Sequence, residues 1–188
     1  MIPLELFLLA IGSFGLGGLL LSLYLAGAPR RKRMNEVASL VGLRAGLVGG
    51  LKGGYRGYAI QVDGQVILVT LTADPRELSL RLVAHQISDL AMPGTALNLI
   101  PTQSGHPELD ARYAIRCQPE DLAREAFAQH RALAERLAAS PFDIIELDGQ
   151  RGRVATLLNP EHRGVEREEF RQLIDLSADL ADLLNQHR

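Results

Sequence analysis

The chain has 188 residues with 20 Lys and Arg, 22 Asp and Glu and a single cysteine. A lone Cys117 excludes an intrachain disulfide and a thiolate metal cluster built by this chain alone. Once the bases Arg30, Arg31, Lys32 and Arg33 and the acid Glu5 are set apart, the remaining 16 bases face 21 acids. That balance argues against a nucleic-acid partner, which demands Lys and Arg gathered on one face.

From Leu6 to Ala28 the sequence reads LFLLAIGSFGLGGLLLSLYLAGA, without a charge. At about 1.5 Å per residue such a helix reaches about 34 Å, enough to cross a hydrocarbon core of about 30 Å. Arg30, Arg31, Lys32 and Arg33 follow it directly, and the excess of bases marks the cytoplasmic flank. The expected location is the inner, cytoplasmic membrane, single-pass, N-terminus out and the C-terminal domain in the cytoplasm. A cleaved secretory signal ending at Ala26-Gly27-Ala28 is the competing reading; against it, the bases follow the apolar stretch instead of preceding it, and the stretch is long for a signal. Gly18, Ser22 and Ala26 recur every four residues, a spacing that lets a second membrane helix approach closely. The expected partners are therefore the lipid bilayer and either a protein partner or a second copy met through this helix. Small residues are also simply common in spanning helices, which is the plainer reading.

This divides the chain into an anchor with its basic collar, 1–33, and a soluble domain, 34–188, of a length that suits one core. A short helix is expected over 34–42, with Gly42 ending it. Seven glycines then fall from Gly42 to Gly57. No Gly-Lys-Ser/Thr follows them, so the phosphate-loop motif is absent and tight turns at a sheet edge explain them better.

Tyr55 to Val62 and Gln65 to Thr72 read as a hairpin around Asp63-Gly64, a register that pairs Ile60 with Ile67 and Tyr58 with Val69. Leu78, Leu80 and Leu82 alternate with Ser79 and Arg81 in a strand over Glu77 to His85, expected to be half-buried. Residues 86–110 hold Pro93, Pro101 and Pro107 and give the weakest pattern, with a short strand at Ala96 to Ile100; long irregular connections often carry binding surfaces.

A strand over Arg112 to Cys117, with Cys117 facing inward, leads to a helix opening at Pro119. Its apolar arc runs from Leu122 and Ala123 through Phe127 and His130 to Leu137. A second hairpin, Phe142 to Leu147 with Arg153 to Leu158, turns at Asp148-Gly149. The last helix, Val165 to His187, buries Phe170, Leu173, Ile174, Leu176, Leu180, Leu183 and Leu184. The fold class is α+β: an N-terminal transmembrane helix, then an antiparallel sheet of hairpins backed by two amphipathic helices.

The segments LKGGYRGYAIQV (Leu51 to Val62), HPELDARYAI (His106 to Ile115) and IIELDG (Ile144 to Gly149) resemble a broad family of uncharacterised bacterial membrane-anchored proteins with a small α+β cytoplasmic domain. The resemblance covers most of the soluble part and implies a membrane tether, but no activity, cofactor or catalytic residue.

Chemistry-bearing spacings are scarce. No His-Glu-x-x-His or Gly-x-Ser-x-Gly occurs, and Ser104 lies in a loop. His85, Asp89, His106, Glu108 and Asp110 form a ligand set only if the irregular stretch folds back on the sheet. His130 sits in an apolar arc and reads as a packed histidine rather than a general base. Glu168, Asp175, Asp179 and Asp182 make an acidic stripe on the last helix, read as solvated, with docking to a basic partner as the sharper alternative. No catalytic, cofactor or metal residues are assigned. The expectation is a membrane-tethered, non-enzymatic interaction module or accessory subunit of a membrane complex; the alternative is an enzyme, or a small-ligand or metal-binding domain, with its site in 85–110.

Overall fold

A computed structural model of the chain describes residues 39, 42–45, 50–71, 77–87, 99–159 and 167–187. The expected membrane segment, its small-residue face and the basic collar Arg30 to Arg33 lie outside the described residues. Among the described residues no helix is long and apolar enough to cross a membrane.

Alternating apolar residues assemble one antiparallel sheet. Its strands are β1 (Arg44–Ala45), β2 (Leu51–Tyr55), β3 (Tyr58–Asp63), β4 (Val66–Thr70), β5 (Ser79–Ala84), β6 (Ile100–Thr102), β7 (Tyr113–Gln118), β8 (Phe142–Asp148) and β9 (Arg153–Leu158). Their spatial order is β1-β2-β3-β4-β9-β8-β5-β7-β6. The α-helices are α1 (Pro107–Arg112), α2 (Leu122–Gln129), α3 (Arg131–Ala139) and α4 (Arg167–Gln186).

These four helices lie on one side. The buried cluster takes Ile60, Val62, Ile67, Val69, Leu80, Leu82, Ile115 and Cys117 from the sheet, one face of each strand. It joins these to Leu109, Phe127, Leu137, Ile174, Leu180 and Leu184 from the helices. The α+β class with an antiparallel sheet and covering helices is as the sequence predicts. The helix count is not: α1 is additional, and the expected helix from Pro119 is two helices.

Several boundaries move for identifiable reasons. The first hairpin pairs Ile60 with Val69, Val62 with Ile67 and Asp63 with Val66, so its turn is Gly64-Gln65 rather than Asp63-Gly64. Gly64, at φ +60, takes the first turn position, where a type II′ loop places glycine. The slip is two residues, an even number, so every side chain keeps its predicted face. β5 is not half-buried: it lies between β7 and β8, and Ser79 and Val83 are buried on the face opposite Leu80 and Leu82. Pro119, joined to Gln118 by a cis peptide bond, lies in the connection, and α2 begins only at Leu122. The helix then breaks at His130 (φ −119, ψ 50), whose ring nitrogen Nε2 lies 2.8 Å from Gln186 Oε1. An amphipathic arc without Gly or Pro gives no warning of such a break; the contact with α4 decides it.

The glycine run is only partly turns. Gly42 and Gly57 have φ +69 and +85. Gly53 and Gly54, however, lie inside β2. A Cβ at Gly53 would sit 3.1 Å from the Leu43 Cα and 3.0 Å from its Cδ2, so glycine here admits the β1 segment against β2. At Gly54 a Cβ meets only the Tyr58 carbonyl oxygen at 3.9 Å. The pair forms an internal control: Gly53→Ala should destabilise the domain by about 1–3 kcal/mol, and Gly54→Ala should change it by less than about 1 kcal/mol, in urea titrations followed by circular dichroism.

Candidate functional site

The acidic stripe of α4 is caught by its own domain. β2 and β3 join through Arg56-Gly57, and both turn residues have positive φ (52° and 85°), the conformation a two-residue hairpin of type I′ requires. This turn aims three side chains at α4. Tyr55 Oη donates to Asp175 at 2.5 Å, and Tyr58 Oη donates to Asp182. Arg56 reaches Asp179 at 2.6 Å and Asp182 at 2.5 Å, while Arg136 of α3 closes on the second oxygen of Asp179. The solvated reading holds only for Glu168, which is exposed. Hydrogen bonding to Asp175 comes first, and burial second, in raising the Tyr55 phenol above its ordinary pKa. The Arg56 guanidinium is likewise held charged above its usual range, chiefly by the bond to Asp179.

Arginine at φ +52 is strained backbone, tolerated because its side chain binds two carboxylates. Replacement therefore separates two effects. Arg56→Gly relieves the backbone and loses the ion pairs, whereas Arg56→Ala loses the pairs and keeps the strain. The alanine variant should be the less stable by about 1 kcal/mol, and the loss in the glycine variant should shrink as salt is added.

Among the described residues, those singled out between 85 and 110 do not form a ligand set. Asp89 lies outside the described residues, and His85 Nε2 lies 3.2 Å from the backbone carbonyl of Asp110. The Asp110 carboxylate accepts from the backbone N–H and the hydroxyl of Ser104, both at 2.8 Å, and so ties the loop ahead of α1. Among the described residues no three His, Cys, Asp or Glu side chains come together as a metal-holding group. Proline at the first turn of α1, with Glu108 and Asp110 beside it, is a helix-start pattern legible in the sequence, which nevertheless reads there as loop.

This loop instead forms one wall of an open groove of about 730 Å³. Ser104, Gly105, His106, Pro107 and Glu108 face Arg124, Phe127, Ala128, Arg131 and Glu135 across it. The second wall follows helical spacing along α2 into α3, so the sequence holds its periodicity but not its opposition to the loop. Gly105, at φ +75, brings the loop against the aliphatic stem of Arg124, where a Cβ would lie 3.5 Å from Cγ. Arg131 is already paired with Glu135 at 3.0 Å. Nδ1 of His106 is enclosed without a hydrogen-bond partner. A groove with an apolar floor at Phe127 and Ala128 and two arginines on its wall suits a peptide segment or a small polar ligand.

Cys117 faces the core, fully buried beside Leu80 and Ile115. Burial pushes its thiol pKa from an ordinary 9.0 up to about 11. It is a packed hydrophobe and not a nucleophile. A raised folded pKa means that the folded state holds the proton more tightly. The associated stability is therefore present below about pH 9 and is lost as pH rises through about 11. Urea midpoints should fall over that window, and Cys117→Ala should flatten the fall whatever its cost in packing.

No family model matches the chain, and no curated protein matches it in sequence. Among solved structures, the fold is similar to the crystal structure of the mycobacterial trehalose monomycolate transport factor A, TtfA. The TM-score is 0.56 at 13% identity, over 82% of this chain and 94% of that one. At that identity the likeness is one of fold.

Proposed function

We propose that this chain is a non-enzymatic accessory subunit of a membrane transport complex, held at the inner membrane by residues 6–28 and offering its α+β domain to a protein partner on the cytoplasmic side. The observation that carries this reading is the groove between the Ser104–Glu108 loop and the α2–α3 stripe, a concave, mixed apolar and charged surface set on a helix pair. The fold likeness to a transport factor supports a transport setting, and membership in a membrane-anchored bacterial family with a cytoplasmic α+β domain belongs to the same proposal. The uncharged stretch and its basic collar supply the location.

The test is crosslinking and affinity capture of the full chain from native membranes after gentle detergent extraction. Arg124→Glu with Ala128→Glu alters exposed groove residues and leaves the core intact. A partner recovered by the parent chain should be lost at least tenfold from this variant, the loss expected when a charged anchor of an interface is reversed. Recovery of the chain only as an isolated monomer counts against the proposal.

A second reading rests on the unpartnered His106 Nδ1: a small-ligand site in the same loop. Thermal-shift screening of the purified chain with divalent metals and small carboxylates checks it; a stabilising response that disappears in His106→Ala favours it over the protein-docking role.

A further inference from the structure

With α1 to α4 on one side, the opposite face of β1 to β4 carries exposed and half-buried side chains. Lys52 pairs directly with Arg44 across β1 and β2, and with Gln61 across β2 and β3; Gln61 in turn pairs with Leu68. These residues point away from the core, since their neighbours Leu51, Val62 and Ile67 are buried in it. Arg44 and Lys52 are exposed, and neither makes an ion pair among the described residues. Two like charges placed directly opposite weaken a strand pair, so their juxtaposition costs the fold something it does not recover internally. Beside them Val66 is 38% exposed, on the same face as the half-buried Leu68.

This lies in a domain whose acids outnumber its bases, 21 against 16. The acids of α4 are on the helical side, held by Tyr55, Arg56, Tyr58 and Arg136. The sheet face thus carries Arg44 and Lys52 at its β1–β2 edge, with the exposed Asp63 paired to Val66 at the β3–β4 turn, while the acids of α4 lie on the other side. Arg44 lies only eleven positions after the collar's Arg33, a reach of at most about 40 Å even when fully extended.

We infer that the exposed sheet face of β1 to β4 docks on the anionic membrane surface, with Arg44 and Lys52 extending the basic collar onto phospholipid headgroups and Val66 and Leu68 resting at the interface. The inference deepens the tethered-subunit reading and rests on it. Docking in this pose turns the α1–α2–α3 groove and the acidic helix away from lipid, toward the cytoplasm where a partner approaches. Attraction of bases to an anionic leaflet fades within a Debye length, so the pose depends on salt.

The experiment uses the full chain carrying Val66→Cys, labelled with an environment-sensitive dye; Cys117 is buried and stays unlabelled in the native protein. The chain is reconstituted into vesicles of phosphatidylcholine alone, or of phosphatidylcholine with phosphatidylglycerol, each doped with a quencher-bearing lipid. Quenching is expected in the anionic vesicles, and should weaken as salt is raised from about 0.1 to about 1 M, which contracts the Debye length from about 10 to about 3 Å. Arg44→Gln with Lys52→Gln should lower the docked-to-undocked ratio about twenty-five-fold, at about fivefold per base. Arg124→Gln, on the helical side, should leave it unchanged. If the chain floats with both kinds of vesicle but the dye is equally unquenched in each, the docking inference falls and the tether stands. Failure to float with either removes the tether itself. Dye shielded in neutral vesicles, together with crosslinking of two molecules through the thiol introduced at position 66, would overturn the inference and assign the face to a second copy.

Discussion

The architecture turns on α4 lying across a wide antiparallel sheet. A sheet of this breadth presents its whole inward face to water unless something covers it, and a hairpin fold without such a cover is at best marginal. α4 sets Leu173, Ile174, Leu176, Leu180, Leu183 and Leu184 against β4, β8 and β9, the centre of the strand order. Each buried leucine or isoleucine contributes about 1.5–3 kcal/mol relative to exposure, so the helix adds to the β4–β9 ladder in holding the early and late hairpins together. Ser177 refines the fit: its hydroxyl bonds the Leu173 carbonyl within the helix and lies 3.2 Å from the Thr156 hydroxyl of β9, which leaves the seam without a bare polar group.

The polar side of the same helix is engaged too. Three of its aspartates are bound by the β2–β3 turn and by α3, so the first hairpin, the helical layer and the C-terminal helix form one ionic and hydrogen-bonded seam along the domain's flank. Exposed pairs of this kind add little individually, and their effect here is geometric: they fix the angle at which the glycine-rich edge meets α4. This leaves α1, α2 and α3 with their own surface, where the loop tied by Ser104 and Asp110 meets the helical stripe and opens the groove.

The domain has a helical, grooved side and a sheet side carrying Arg44 and Lys52. For a tethered subunit that division keeps location and recognition on opposite faces, where they do not compete. Of the α4 carboxylates, Asp179 and Asp182 are paired with Arg56 and Arg136 inside the domain.

The sequence by itself determined β3 and β4, β5, β7, β8 and β9 as strands, the final helix and the inward-facing Cys117, because side-chain alternation and 3.6-residue periodicity are local consequences of backbone geometry; β1 and β2, in the glycine run, it did not. It also determined the uncharged stretch at 6–28 and the bases behind it, though these lie outside the described residues. Only the tertiary structure decided the register at Gly64, the break at His130, the engagement of the acidic stripe and the pairing of the 104–108 loop with Arg124 and Phe127. Each of these depends on which distant residue arrives opposite. Tyr55 and Asp175 lie 120 positions apart, and no local pattern in either segment names the other.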